Sequence, residues 1–156
     1  MIDQRRSKVA VMQLTLELDA EIESLATADK AVGDFAESMS WPDEATFKVK
    51  LVLEEILMNV ISYGGDSSHK PRITLHLSQQ NDLLSMEISD DGIAYDPLTA
   101  PPPDLESDLD DRPIGGLGVH LVRELMDNVS YRFKDGRNHL LVTKALIWPG
   151  LAAPSE

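Results

Sequence analysis

Apolar residues alternate twice in close succession. Ile73, Leu75 and Leu77 share one face of an extended segment, and Leu84, Met86 and Ile88 share one face of the next. Asn81-Asp82 lies between them. A period of two with turn residues in the middle is the pattern of an antiparallel hairpin with one buried face. Such a sheet needs a cover, and the chain supplies it at a different period. Ile22, Leu25, Val32, Phe35, Ala36 and Met39 recur at helical spacing, which predicts an amphipathic helix from about Ala20 to Met39, weakened by Gly33. Trp41-Pro42-Asp43-Glu44 restarts the chain, with proline and acids suited to a first helical turn. That second helix is predicted to reach Tyr63, where Gly64-Gly65 ends it.

The remaining segments follow the same two periods. Leu14, Leu16 and Leu18 alternate with Gln13, Thr15 and Glu17 in a first strand. GGLGVHLVRELMD opens a third helix, Val129, Tyr131 and Phe133 alternate, Asp135-Gly136 turns, and NHLLVTKAL reads as a last strand. The predicted order is β-α-α-β-β-loop-α-β-β. It makes an α+β two-layer α/β sandwich, with a mostly antiparallel sheet and helices on one face. The loop, rich in proline and acids up to Pro113, has no strand or helix period, and loops of that length are usually functional or disordered. One domain is expected over residues 8–148, with flexible ends at 1–7 and 149–156.

Charge and cysteine content narrow the partners. The chain of 156 residues carries 27 acids against 14 bases, a net charge of -13. A nucleic-acid surface would need a basic face, and an anionic membrane is disfavoured for the same reason. A small anion such as a nucleotide remains compatible, because backbone amides and a metal ion hold phosphates without net positive charge. Cysteine is absent, which excludes disulfides, thiol catalysis and cysteine metal sites. With no apolar stretch long enough for a bilayer, a cytoplasmic setting is expected.

Three motifs carry chemistry. In EEILMNVISYGG, Lys48, Glu55, Asn59 and Ser62 project along one line of the second helix, bordered on both sides by apolar residues. The plain alternative is a solvated stripe. Set in a cleft, Glu55 and Asn59 are one turn apart and reach one small object. Their oxygens are hard ligands that suit Mg²⁺, and a glutamate there can accept a proton from an attacking hydroxyl. Glu54 points away on the wheel. In SDDGIAYDP, Asp90 stands just past a strand, able to accept from an exocyclic amine such as that of adenine, and Gly92 allows close approach to a flat ligand. An ordinary Asp-Gly turn is the alternative. GGLG, Gly115 to Gly118, stands at a helix start, where free amides bind phosphate or where a hinge closes the long loop. It meets neither the dinucleotide fingerprint nor the Walker motif.

Their order is more specific than any one of them. It resembles the adenosine-nucleotide-binding fold of DNA gyrase, heat-shock chaperones, histidine kinases and mismatch-repair proteins. Within that group the chain is most similar to the stand-alone anti-sigma-factor serine kinases, from about Lys8 to Leu146. The resemblance is carried by EEILMNVISYG, SDDGIAYDP and RPIGGLGVHLVRELMD with its trailing DGRNHLLVTKAL. It implies Glu55 as the catalytic general base and Asn59 as the Mg²⁺ ligand beside ATP. It implies Asp90 as the reader of the adenine amine, with Gly92 as companion. The implied nucleotide-contacting set also includes Ala94 and Gly115, Gly116, Leu117 and Gly118, and Pro97 to Pro113 is the implied ATP lid. In this family the γ-phosphoryl passes to a serine of an anti-anti-sigma factor, a sigma factor is held inactive, and homodimers are common. The alternative is a non-catalytic, ATP-sensing binding module in a partner-switching pathway. Tyr63 stands where many members carry histidine, and Ala94 where they carry a second glycine. His120 falls in the third helix, without the upstream helical hairpin that a histidine kinase needs.

Overall fold

The computed structural model describes residues 11–99 and 116–147. Strand β1 (Val11–Asp19) is followed by helices α1 (Glu23–Ser38) and α2 (Asp43–Tyr63). Strands β2 (Arg72–Gln80) and β3 (Leu83–Asp90) form the predicted hairpin, and Asn81 takes the left-handed conformation (φ 56°) its turn requires. Pro97–Thr99 makes a short 3₁₀ turn. Helix α3 (Gly116–Leu125) then leads to β4 (Asn128–Lys134) and β5 (Arg137–Ala145). The β4–β5 turn uses positive φ at both Asp135 (53°) and Gly136 (75°), the geometry that matches strand twist in two-residue hairpins.

The five strands lie in the order β1-β2-β3-β5-β4, and every ladder is antiparallel. Register aligns the apolar faces. Leu14, Leu16 and Leu18 oppose Leu77, Leu75 and Ile73, while Met86 and Ile88 oppose Val142 and Leu140. One core joins this face to the helices through buried Val32, Val49, Val52, Leu53 and Leu57. The opposite sheet face is polar: Thr15 and Thr74 hydrogen-bond His76 and Glu17, and His139 lies 3.1 Å from Glu87. The result is the expected two-layer α+β sandwich. No helix among the described residues is long and apolar enough to cross a membrane.

Two details place the functional end of the molecule. Buried Trp41 packs edge-on against Phe35 at 5.8 Å and donates to Gln79 Oε1 at 2.7 Å, tying the start of α2 to β2. At the other end, Gly64 closes α2 in a right-handed conformation (φ -77°), so it is not the left-handed cap that glycine usually supplies. What it supplies is closeness. A Cβ there would meet the Val60 carbonyl at 2.7 Å and Pro71 at 3.2 Å.

Candidate nucleotide site

A cavity partly open to solvent lies between the second half of α2 and the ends of β3 and β5. Ile56, Val60, Ile88 and Leu140 form an apolar interior, while Tyr63, Ile93 and Tyr95 stand at exposed positions on its rim. Asn59, Asp90 and Asn138 supply the polar groups of its wall. An apolar slot with a few convergent polar groups suits a flat heterocycle.

Asp90 ends β3 and is 5% exposed. Its Oδ1 accepts from the Gly92 amide at 2.9 Å and from Asn138 Nδ2 at 3.0 Å. Burial pushes its pKa up, and the bonds from Asn138 and Gly92 and the charge of Arg137 oppose that rise without cancelling it. Packing within the chain by itself requires glycine at position 92. A side chain there would run into the Gly64 carbonyl, which also accepts the Ile93 amide at 2.9 Å. The loop after β3 is thereby clamped to the end of α2.

The polar line on α2 divides. Asn59 enters the cavity wall. Glu55, one turn earlier, is half-buried under α3, where a side chain on Gly118 would fall on its Oε2. Burial and the neighbouring Glu54 raise the Glu55 pKa, and a raised carboxylate is a better proton acceptor near neutral pH. Lys48 pairs with Glu44 at 2.7 Å and Ser62 is exposed, so neither joins the site. Glu54 lines a separate groove against α1 with Asp29 and Lys50. Ala94 is exposed beside the cavity rather than in its wall. Gly116 and Leu117 occupy the first turn of α3, and Gly115 lies outside the described residues, as does the lid beyond Thr99. His120 is exposed, 3.7 Å from Glu124.

Helix α3 is held over Glu55 from its far end. Lys144 Nζ donates to the Leu125 carbonyl at 3.1 Å, the Asp127 amide joins Thr143, and Arg123 reaches the Leu98 carbonyl at 2.8 Å. The first turn of α3 lies at the Glu55 end of the site, and the first amides of a helix have no partner within the helix itself.

Among the described residues no three His, Cys, Asp or Glu side chains converge as a metal cluster. The donor set is one amide oxygen, Asn59, with a carboxylate one turn away. That suits Mg²⁺ arriving with a nucleotide, because Mg²⁺ takes most of its oxygens from phosphates and water. Asn138 and Tyr131 were not identifiable as site residues from the sequence. Both lie within strand patterns, and only the β3–β5 register places Asn138 opposite Asp90.

Comparison with known proteins places the chain in a family. Residues 18–144 match the family model described as histidine kinase-like ATPase domain. The chain is 39% identical over 103 residues to the serine/threonine-protein kinase BtrW of Bordetella bronchiseptica, covering 66% of this chain and 72% of that protein. It is 27% identical over 128 residues to the serine-protein kinase RsbW of Listeria monocytogenes, covering 80% and 82%. A crystal structure of the RsbU and RsbW domains of a Mycobacterium tuberculosis protein shares the fold at TM-score 0.66 and 14% identity, over 88% of this chain and 33% of that one. By its family match and its kinase relatives, the chain belongs to the histidine kinase-like ATPase domains, on the branch of the serine-protein kinases.

Proposed function

We propose that this chain is an ATP-dependent protein serine kinase and anti-sigma-type regulator, phosphorylating an anti-anti-sigma factor and sequestering a sigma factor. The reading rests on one convergence: a buried carboxylate in an apolar slot, Asp90, continues through Asn59 to Glu55 beneath the first turn of α3. Asp90 accepts from the adenine amine, and the apolar walls hold the ring. The triphosphate extends past Asn59 toward the amides of Gly116, Leu117 and Gly118, with Gly115 leading into that turn, and the helix dipole favours its charge. Asn59 would hold Mg²⁺ arriving with the nucleotide, and the ion would supply charge neutralisation for the phosphates. Glu55 orients the acceptor serine and takes its proton. The serine oxygen bonds to the γ-phosphorus as the bond to the β-phosphate oxygen breaks, and ADP leaves.

The same reading places the protein in the cytoplasm as a homodimer, contacting neither nucleic acid nor membrane. Asn59→Ala tests the metal role, since calorimetry should find ATP binding weakened about tenfold with Mg²⁺ and little changed without it. Equal affinities for Asn59→Ala and the parent in Mg²⁺ contradict that role. A pull-down from the native cell with and without ATP identifies the phosphoacceptor.

A further inference from the structure

The family resemblance implies no role for Asn138, yet four hydrogen bonds end on its side chain at the cavity. It is 6% exposed on β5, directly opposite Asp90. Its Nδ2 donates to Asp90 Oδ1 at 3.0 Å and to the Ile93 carbonyl at 2.9 Å. Its Oδ1 accepts from the Tyr95 amide at 3.0 Å and from the Tyr131 hydroxyl at 2.5 Å. All four hydrogen-bonding positions of the amide are filled. The Tyr95 N–H can only donate, so the amide oxygen must face it and the nitrogen must face Asp90.

That orientation decides what Asp90 can offer. Two donors, Gly92 N and Asn138 Nδ2, both end on Oδ1. Among the described residues no hydrogen bond ends on Oδ2, which leaves this oxygen for a ligand. We propose that Asn138, held by Tyr131, is a positioning residue that sets the base preference of the pocket by fixing Asp90 with Oδ2 as a free acceptor. The ligand feature selected is an exocyclic amine on a purine. A purine with an oxo group there sets oxygen against oxygen. Through Ile93 and Tyr95, the same amide holds the outer cavity wall to the sheet, so the acceptor and the wall it works against are fixed by one side chain. This inference rests on the reading of Asp90 as the base-contacting residue.

The probes are ATP and inosine triphosphate, which differ at this position by amine against oxo. Their affinities are measured by calorimetry with Mg²⁺ on the whole chain. The parent protein should prefer ATP by tenfold or more. Asn138→Asp keeps the acceptor facing Tyr95 and Tyr131 but removes both donors and sets a second carboxyl against Asp90. It should bring the ATP-to-ITP preference to near one, because the donor that fixes Oδ1 is gone and Asp90 no longer holds Oδ2 toward the ligand as a set acceptor. Tyr131→Phe, at a half-buried position, removes only the hydroxyl and should lower the preference several-fold. A purely structural role for Asn138 would weaken both nucleotides by one factor. A folded Asn138→Asp, or a folded Tyr131→Phe if the first fails to fold, that keeps the parent preference overturns this inference alone. A parent protein that does not distinguish the two nucleotides overturns the Asp90 reading and this inference with it.

Discussion

Asp90 joins two demands that oppose each other. On the proposed reading it contacts a base in a dry slot, and the burial this takes raises its pKa above the ordinary carboxylate value. The folded chain therefore binds this proton more tightly than the unfolded chain. Its contribution to stability is fully present below the unfolded pKa of about 3.9 and is lost as pH rises through the folded pKa. Asp90→Asn removes that loss and keeps an oxygen for Gly92 and Asn138. Chemical denaturation should find Asp90→Asn at least as stable as the parent at pH 7, with a flatter decline in stability above pH of about 4. Its ATP affinity should fall by about 2 kcal/mol, the order of a hydrogen bond to a charged group. A variant less stable at pH 7, or one with parental ATP affinity, contradicts this account of Asp90.

At the scale of elements, two glycines perform different tasks. Gly92 lets the loop after β3 close against the backbone of α2 at Gly64, and Gly118 lets α3 close over a side chain, Glu55. Backbone cannot yield as the end of a glutamate can. Gly92→Ala should destabilise the fold by about 1–3 kcal/mol, as overpacking does. Gly118→Ala should leave the unfolding midpoint nearly unchanged and instead displace Glu55, lowering phosphoryl transfer tenfold or more. Denaturation and transfer assays on both variants check the pair, and equal losses of stability contradict it. The contrast also marks how far the elements were legible. Alternation and helical spacing placed every strand and helix to within a few residues, because those periods are local. Gly64 ends its helix as expected, but in a right-handed conformation, so glycine serves there for space, where Val60 and Pro71 exclude a side chain. The need for Gly92 reads as ligand approach in the sequence, where no local pattern announces that the Gly64 carbonyl also excludes a side chain there.

At the scale of the molecule, the sheet order brings the motifs together. Inserting β5 between β3 and β4 sets Asn138 against Asp90, 48 residues earlier in the chain. No local pattern in DGRNHLL announces that partner, so Asn138 and Tyr131 became visible only with the register. Asn59 and Glu55 were legible because one helix carries both, at a spacing fixed by the helical turn. Their division between cavity and α3 depends on how α3 packs, which the spacing does not encode. The resulting path runs from the base slot at Asp90, past Asn59, to the carboxylate under α3. Its chemical claim is that Glu55 takes the proton of the acceptor serine. The most direct measurement is transfer of labelled γ-phosphate from ATP to the partner recovered by pull-down, comparing the parent chain with Glu55→Gln at equal ATP occupancy. The parent should phosphorylate the partner on serine, and Glu55→Gln should bind ATP normally while transferring about 10²–10⁴-fold more slowly. Parental transfer by Glu55→Gln, or no transfer by an ATP-loaded parent, would contradict the claim.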